Sequence, residues 1–170
     1  ALDPDPLFAS LEVGGTDFTP EDPALARLFP DAFEDAAEAS SFRQLTEQGL
    51  VNRKLHDAQE VSSALGLGID PDSTNTSTIE VDITSTTMPA WVRTLTSLRL
   101  AIAARIGLNE EADHDRLFAH EDTRGTVMVY DWLAAILDSV IQMNETDYSD
   151  ALRRVVVVPR LPKTSVCRLW

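Results

Sequence analysis

Apolar and polar positions alternate along this chain in two different periods, and the change from one to the other maps its elements. Asp22 suits an N-cap and Pro23 a first helical turn, with Leu25, Leu28 and Phe29 as the apolar side and Pro30 as the stop. A longer helix is predicted over about 31–65. Phe42, Leu45, Gly49, Val51, Leu55, Ala58, Val61 and Leu65 recur there at spacings of mostly three and four. Gly49 interrupts that stripe and predicts a break, while Gly66 and Gly68 end the run.

Residues 70–78 carry no large apolar group and read as a loop. Ile79, Val81 and Ile83 then alternate with Glu80, Asp82 and Thr84, the period of a half-buried strand. Thr86 or Thr87 caps the next helix, which has Pro89 in its first turn, Trp91, Leu95, Leu98, Ile102 and Ile106 as its stripe, and Gly107 as its end. A further helix, about 125–143, bears Val129, Leu133, Ile136 and Val140 beside Tyr130, Leu137 and Ile141. That arc is wide enough to touch more than one neighbour. Val155–Val158 reads as a second strand, and pairing it with 79–83 satisfies both. The expected fold is mainly α: four to five helices with a minor β element. Its divisions are an acidic, loop-like segment at 1–22, a helical domain at 23–150 and a basic tail or strand at 151–170.

The chain has 170 residues with 44% hydrophobic and 25% charged, the size and composition of one globular domain. A single cysteine, Cys167, leaves no internal disulfide framework. No uninterrupted run approaches the roughly 18 apolar residues of a membrane span, so no membrane partner is expected and a cytoplasmic setting is. The net charge of −14 argues against nucleic acid, because phosphate binding needs Lys and Arg. The charge is uneven, with ten acids and one base, Arg27, in residues 1–40 and five bases without an acid in 151–170. A DNA-binding regulator is therefore a distant third among the function classes.

Residues 110–122 hold the densest polar cluster. Asp113, His114, His120 and Glu121 are the candidate metal ligands there, and the stretch reads as a solvated acidic loop with a short helical turn. Its histidines are six apart, which places them on different helical faces. His56 beside Asp57 makes no helical pair. Neither Gly-x-Ser-x-Gly nor a Walker lysine pattern occurs, Gly66-Leu67-Gly68 reads as a helix stop, and Cys167 lacks an assigned base. Pro159-Arg160-Leu161-Pro162-Lys163 matches a polyproline ligand but equally a turn-forming tail. No catalytic residue and no cofactor is assigned.

Three pieces carry a family resemblance: Phe42-Arg43-Gln44-Leu45-Thr46-Glu47 with Lys54; Trp91, Leu95 and Leu98-Arg99-Leu100-Ala101 with Arg105-Ile106-Gly107; and Val129-Tyr130-Asp131-Trp132-Leu133. In order and spacing, over about 23–143, they resemble an actinobacterial family of small cytoplasmic proteins with no assigned function, often encoded near the ClpS adaptor of the Clp protease. The chain departs from that pattern at Thr96-Ser97, in place of Asn-Asp, and at Ala135-Ile136, in place of Leu-Gln. The resemblance implies a helical fold and no characterised activity. The leading expectation is a non-catalytic protein-interaction or regulatory domain, linked to Clp-type proteolysis, with a protein partner and a homodimer as a common assembly. Arg43, Glu47, Lys54, Arg99 and Arg105 are its candidate contact residues. The alternative is a metal- or small-ligand-binding protein, or an enzyme, using residues 110–122 or a pocket between helices.

Overall fold

The computed structural model describes residues 22–66, 79–145 and 154–158. The acidic segment before Asp22, the loop at 70–78, the Pro-x-x-Pro stretch, Cys167 and Trp170 lie outside them. The elements are α1 (Pro23–Leu28), α2 (Ala36–Ala64), β1 (Ile79–Ile83), α3 (Met88–Ile106), α4 (Glu111–Ala119), α5 (Glu121–Glu145) and β2 (Arg154–Val158). This is a mainly α bundle with a two-stranded sheet.

Local chemistry sets the ends of these elements. The Asp22 carboxylate accepts the Ala24 and Leu25 amides at 2.7 and 3.3 Å, and Asp35 accepts those of Ala37 and Glu38 at 3.0 Å each. Each side chain satisfies donors that a first turn leaves without partners. Gly107 ends α3 at φ 72°, a backbone shape that costs a side-chain-bearing residue strain. Its turn lets the Leu108 amide reach the Ala103 carbonyl at 2.8 Å. Thr87 caps α3 through its backbone only, since its side chain takes part in the preceding turn at Thr84.

The helix α3 is the hub. It packs on α1, α2 and α5, and α4 packs on α5. The core lies where Val61 at the end of α2, Val81 and Ile83 of β1, Trp91 and Leu95 of α3, and Leu133 and Val140 of α5 meet. The strands pair antiparallel with Ile79 opposite Val158 and Ile83 opposite Arg154, the pairing expected from the sequence.

Four local readings change. The helix α2 runs unbroken through Gly49, because nothing crowds that position and a helical glycine costs only about 1 kcal/mol. Residues 110–122 are mostly helix rather than loop. Asp113 accepts the Asn109 and Glu110 amides at 3.0 and 3.1 Å and so starts α4. The helix α5 begins at Glu121 instead of near 125, and its first turn serves the end of α4. Thr123 donates to the Leu117 carbonyl and Arg124 to those of Phe118 and Ala119. Leu98, assigned to the inner stripe of α3, is exposed, whereas Val127, outside either stripe of α5, is fully buried. By length and composition alone, Glu121–Met143 is a candidate membrane span despite Asp131 and Asp138. Val127, Leu133 and Val140 of this helix are buried in the bundle.

Candidate functional site

The stripe assigned to α2 is where sequence and structure diverge most. Its buried positions are Ala39, Arg43, Glu47, Val51, Asp57 and Val61. Phe42, Leu45, Leu50 and Leu55, all apolar, are exposed, and Leu45 retains 86% of its accessible surface. Half of the inner positions are thus charged and the outer face is partly apolar, a departure from an ordinary surface helix.

The inner face forms a polar seam. Arg43, only 6% exposed, reaches back to the α1–α2 connection: it donates to the Phe29 carbonyl at 3.3 Å and pairs with Asp31. Lys54 donates to the Ser97 hydroxyl of α3 at 3.0 Å and lies 5.8 Å from the centre of the Phe29 ring. Partial burial pushes its ammonium below the usual lysine range. Asp57 takes both nitrogens of the Arg93 fork, Nε at 2.7 Å and Nη2 at 2.8 Å. That bidentate grip holds the Asp57 carboxyl below its ordinary range. Glu47 is buried between these groups and its Oε2 has no hydrogen-bond partner. Arg43, Glu47 and Lys54 therefore face the body of the domain and do not make the exposed patch that would recommend them as partner contacts.

The outer face is open. The Phe33 and Phe42 rings meet edge to face at 5.5 Å, and both stay nearly half exposed. Leu45 lies one turn along from Phe42. One turn further is Gly49, where an added Cβ would meet nothing within 4 Å. Contiguous exposed apolar surface of this kind marks contact with another molecule more often than scattered single residues do. The 42–45–49 spacing marks this face in the sequence, but the structure turns it outward.

The remaining candidates separate. Arg105 bridges to Asp22 at 3.1 Å and fastens α1 to the end of α3. Arg99 stacks its guanidinium 4.4 Å above the centre of the Tyr130 ring and makes no ion pair among the described residues. Asp113 serves the start of α4 and pairs with Arg116, and these contacts hold its carboxyl down to about 2. His114 Nε2 lies 3.0 Å from Asp131 of α5, and its ring stacks on Phe118. His120 and Glu121 are exposed at the α4–α5 junction. Among the described residues, no three His, Cys, Asp or Glu side chains converge as a metal would require.

The His114–Asp131 contact gives a pH prediction. The Asp131 carboxylate raises the His114 pKa above 6.5. A raised folded value means that the stabilisation is fully present below the unfolded value and is lost as pH rises through the folded one. Docking of α4 on α5 should therefore loosen as pH rises through that raised value. A proton-NMR titration of the His114 ring should show the raised value, and Asp131→Asn should return it toward 6.5. Equal titration in both proteins would refute the contact.

These elements define a small α bundle organised on one central helix, with a second helix held to it by a polar seam. The chain belongs to the family described as a domain of unknown function, DUF2017, whose profile matches residues 1–143. The match takes in the N-terminal residues that the three motifs left out and stops before β2. No curated protein and no solved structure matches the chain.

Proposed function

We propose that this protein is a non-catalytic interaction domain that works through the outward face of α2, and that a second copy of the chain covers that face. The observation that carries the reading is the inverted helix: charges are buried on the inside while Phe42, Leu45 and Leu50 are left in water. The face is also self-complementary. Asp35, Glu38, Phe42, Leu45, Gly49, Asn52 and His56 follow one another at alternating spacings of three and four, the seam pattern of paired helices. Its N-terminal end is acidic, its middle apolar, and its C-terminal end carries Arg53 and His56. An antiparallel pair centred near residue 47 sets Leu45 over the partner's Gly49 and Glu38 toward the partner's His56. A parallel pair would set like ends together.

One helix pair buries a modest area, so the dimer is expected to be weak, with Kd on the order of 10 μM. Sedimentation equilibrium should show that association. Leu45→Glu should abolish it while leaving the circular dichroism spectrum unchanged. A chain that stays monomeric at about 1 mM, or a Leu45→Glu variant that still dimerises, would overturn the assignment.

The finer form of the proposal is regulatory, in the cytoplasm, next to Clp-type proteolysis. The resemblance to an actinobacterial family encoded near a Clp adaptor supports it. The expected result is a purified Clp component that binds the wild-type chain and not Leu45→Glu. Equal binding by both would remove the α2 face from that role.

A further inference from the structure

A cleft of about 590 Å³ opens between α1, α3, α4 and α5, on residues that include Arg27, Arg99, Leu100, Leu108, His114 and Tyr130. It is remote in character from the α2 face, and nothing in the polar seam uses it. Its defining group is Arg99. The guanidinium is held flat on Tyr130, so its direction is set before any ligand arrives. None of its nitrogens hydrogen-bonds to a described residue, and its Nε is sealed from solvent without an acceptor. A buried donor left without a partner is costly, and native proteins seldom tolerate one without a use for it. Arg27 stands on the same cleft and likewise has no carboxylate partner among the described residues.

We infer that this cleft binds a small organic monocarboxylate, its carboxylate held by Arg99 and Arg27 and its hydrocarbon body on Leu100, Ala103 and Leu108. A planar guanidinium fork matches a carboxylate in shape as well as charge. The apolar wall gives the ligand a hydrocarbon part. The other charged groups on the cleft decide between anions. Glu110, Glu111 and Asp115 line the same cleft as the two arginines, and His114 contacts both Asp131 and Asp115. Three carboxylates repel a phosphate dianion far more than a monoanion, so the class is the carboxylate and not the phosphate.

The probes are hexanoate, acetate, hexylamine and inorganic phosphate, added to the full chain and followed by NMR chemical shifts. Hexanoate should saturate and move the Tyr130 ring signals. It should bind at least about 10-fold more tightly than acetate, because four added methylenes enter the apolar wall. Hexylamine should not bind there. Arg99→Lys keeps the charge but loses the fork, and should weaken hexanoate about 10-fold or more. Arg27→Gln, at an exposed position, should weaken it by a smaller factor and guards against a folding effect of the first variant. No binding of hexanoate at 20 mM on the order of magnitude of a weak fragment, tighter binding of phosphate, or hexanoate affinity unchanged in both variants would each overturn the inference. Addition of 6-aminohexanoate then reads the acidic residues of the cleft. An ammonium that tightens binding relative to hexanoate means that Glu110, Glu111 or Asp115 takes part in recognition.

Discussion

Trp91→Ala should remove a large share of the domain's stability. Trp91 is 2% exposed and sits on the central helix in one cluster with Val61, Val81, Ile83, Leu95, Leu133 and Val140, where α2, β1 and α5 meet α3. Emptying such a site costs about 3–5 kcal/mol, against a total of about 5–15 kcal/mol for a typical domain. Trp91→Phe should behave very differently. The indole Nε1–H is buried without an acceptor, an arrangement that already costs about 1–3 kcal/mol. Phenylalanine removes that donor while keeping most of the ring, so the net loss should stay below about 2 kcal/mol. Urea unfolding of the three proteins measures both values. A Trp91→Ala protein less than 1 kcal/mol weaker than wild type, on the same cavity scale, would mean that the core lies elsewhere.

Arg93→Ala should be the most damaging change in the polar seam. It strips the buried Asp57 carboxylate of its hydrogen-bonded fork and leaves only the longer-range charges of Lys54 and Arg53. Breaking a fully buried pair costs about 3–5 kcal/mol; because Arg93 is half exposed, about 2–3 kcal/mol is expected here. Asp57→Ala should cost less, since the freed guanidinium can return to water. The pH dependence follows from the lowered Asp57 pKa. That contribution is present above the unfolded value of 3.8 and is lost as pH falls through the folded one. The gap between wild type and Arg93→Ala should therefore be wide at pH 7 and close in acid. Denaturation midpoints across that range test it, and equal costs for the two single variants would show that the pair is no more than a surface contact.

The positions of the elements were legible from spacing and caps, and the inner face of the longest one was not. Asp22, Pro23, Pro89 and Gly107 act on the backbone within a turn of themselves, so their effect is local and readable. Ile79–Ile83 and Val155–Val158 each demand a partner strand, and little else in the chain could supply one. The direction of α2 is another matter. Hydrophobic periodicity assumes that the apolar side turns inward. In α2 that assumption fails because Arg43 finds the Phe29 carbonyl and Asp31, Lys54 finds Ser97, and Asp57 finds Arg93. Those partners are 12 to 43 residues away in the chain, beyond any local window. The cleft was legible only in pieces for the same reason. Arg99, His114 and Tyr130 lie in separate stretches of the chain, and only the packing of the helices brings them to one cavity.

The seam also decides where α2 is allowed to sit. Greasy contacts are forgiving: a helix resting on leucines can slide by a turn or roll by a few tens of degrees at small cost, because one methyl group serves nearly as well as another. Guanidinium, ammonium and carboxylate groups have directions and specific counterparts, and a one-turn slip would leave each of them opposite the wrong atom. The helix thus has a single admissible alignment on its neighbour. Phe42, Leu45 and Leu50 are consequently displayed at a set angle and height, as on a rigid mount.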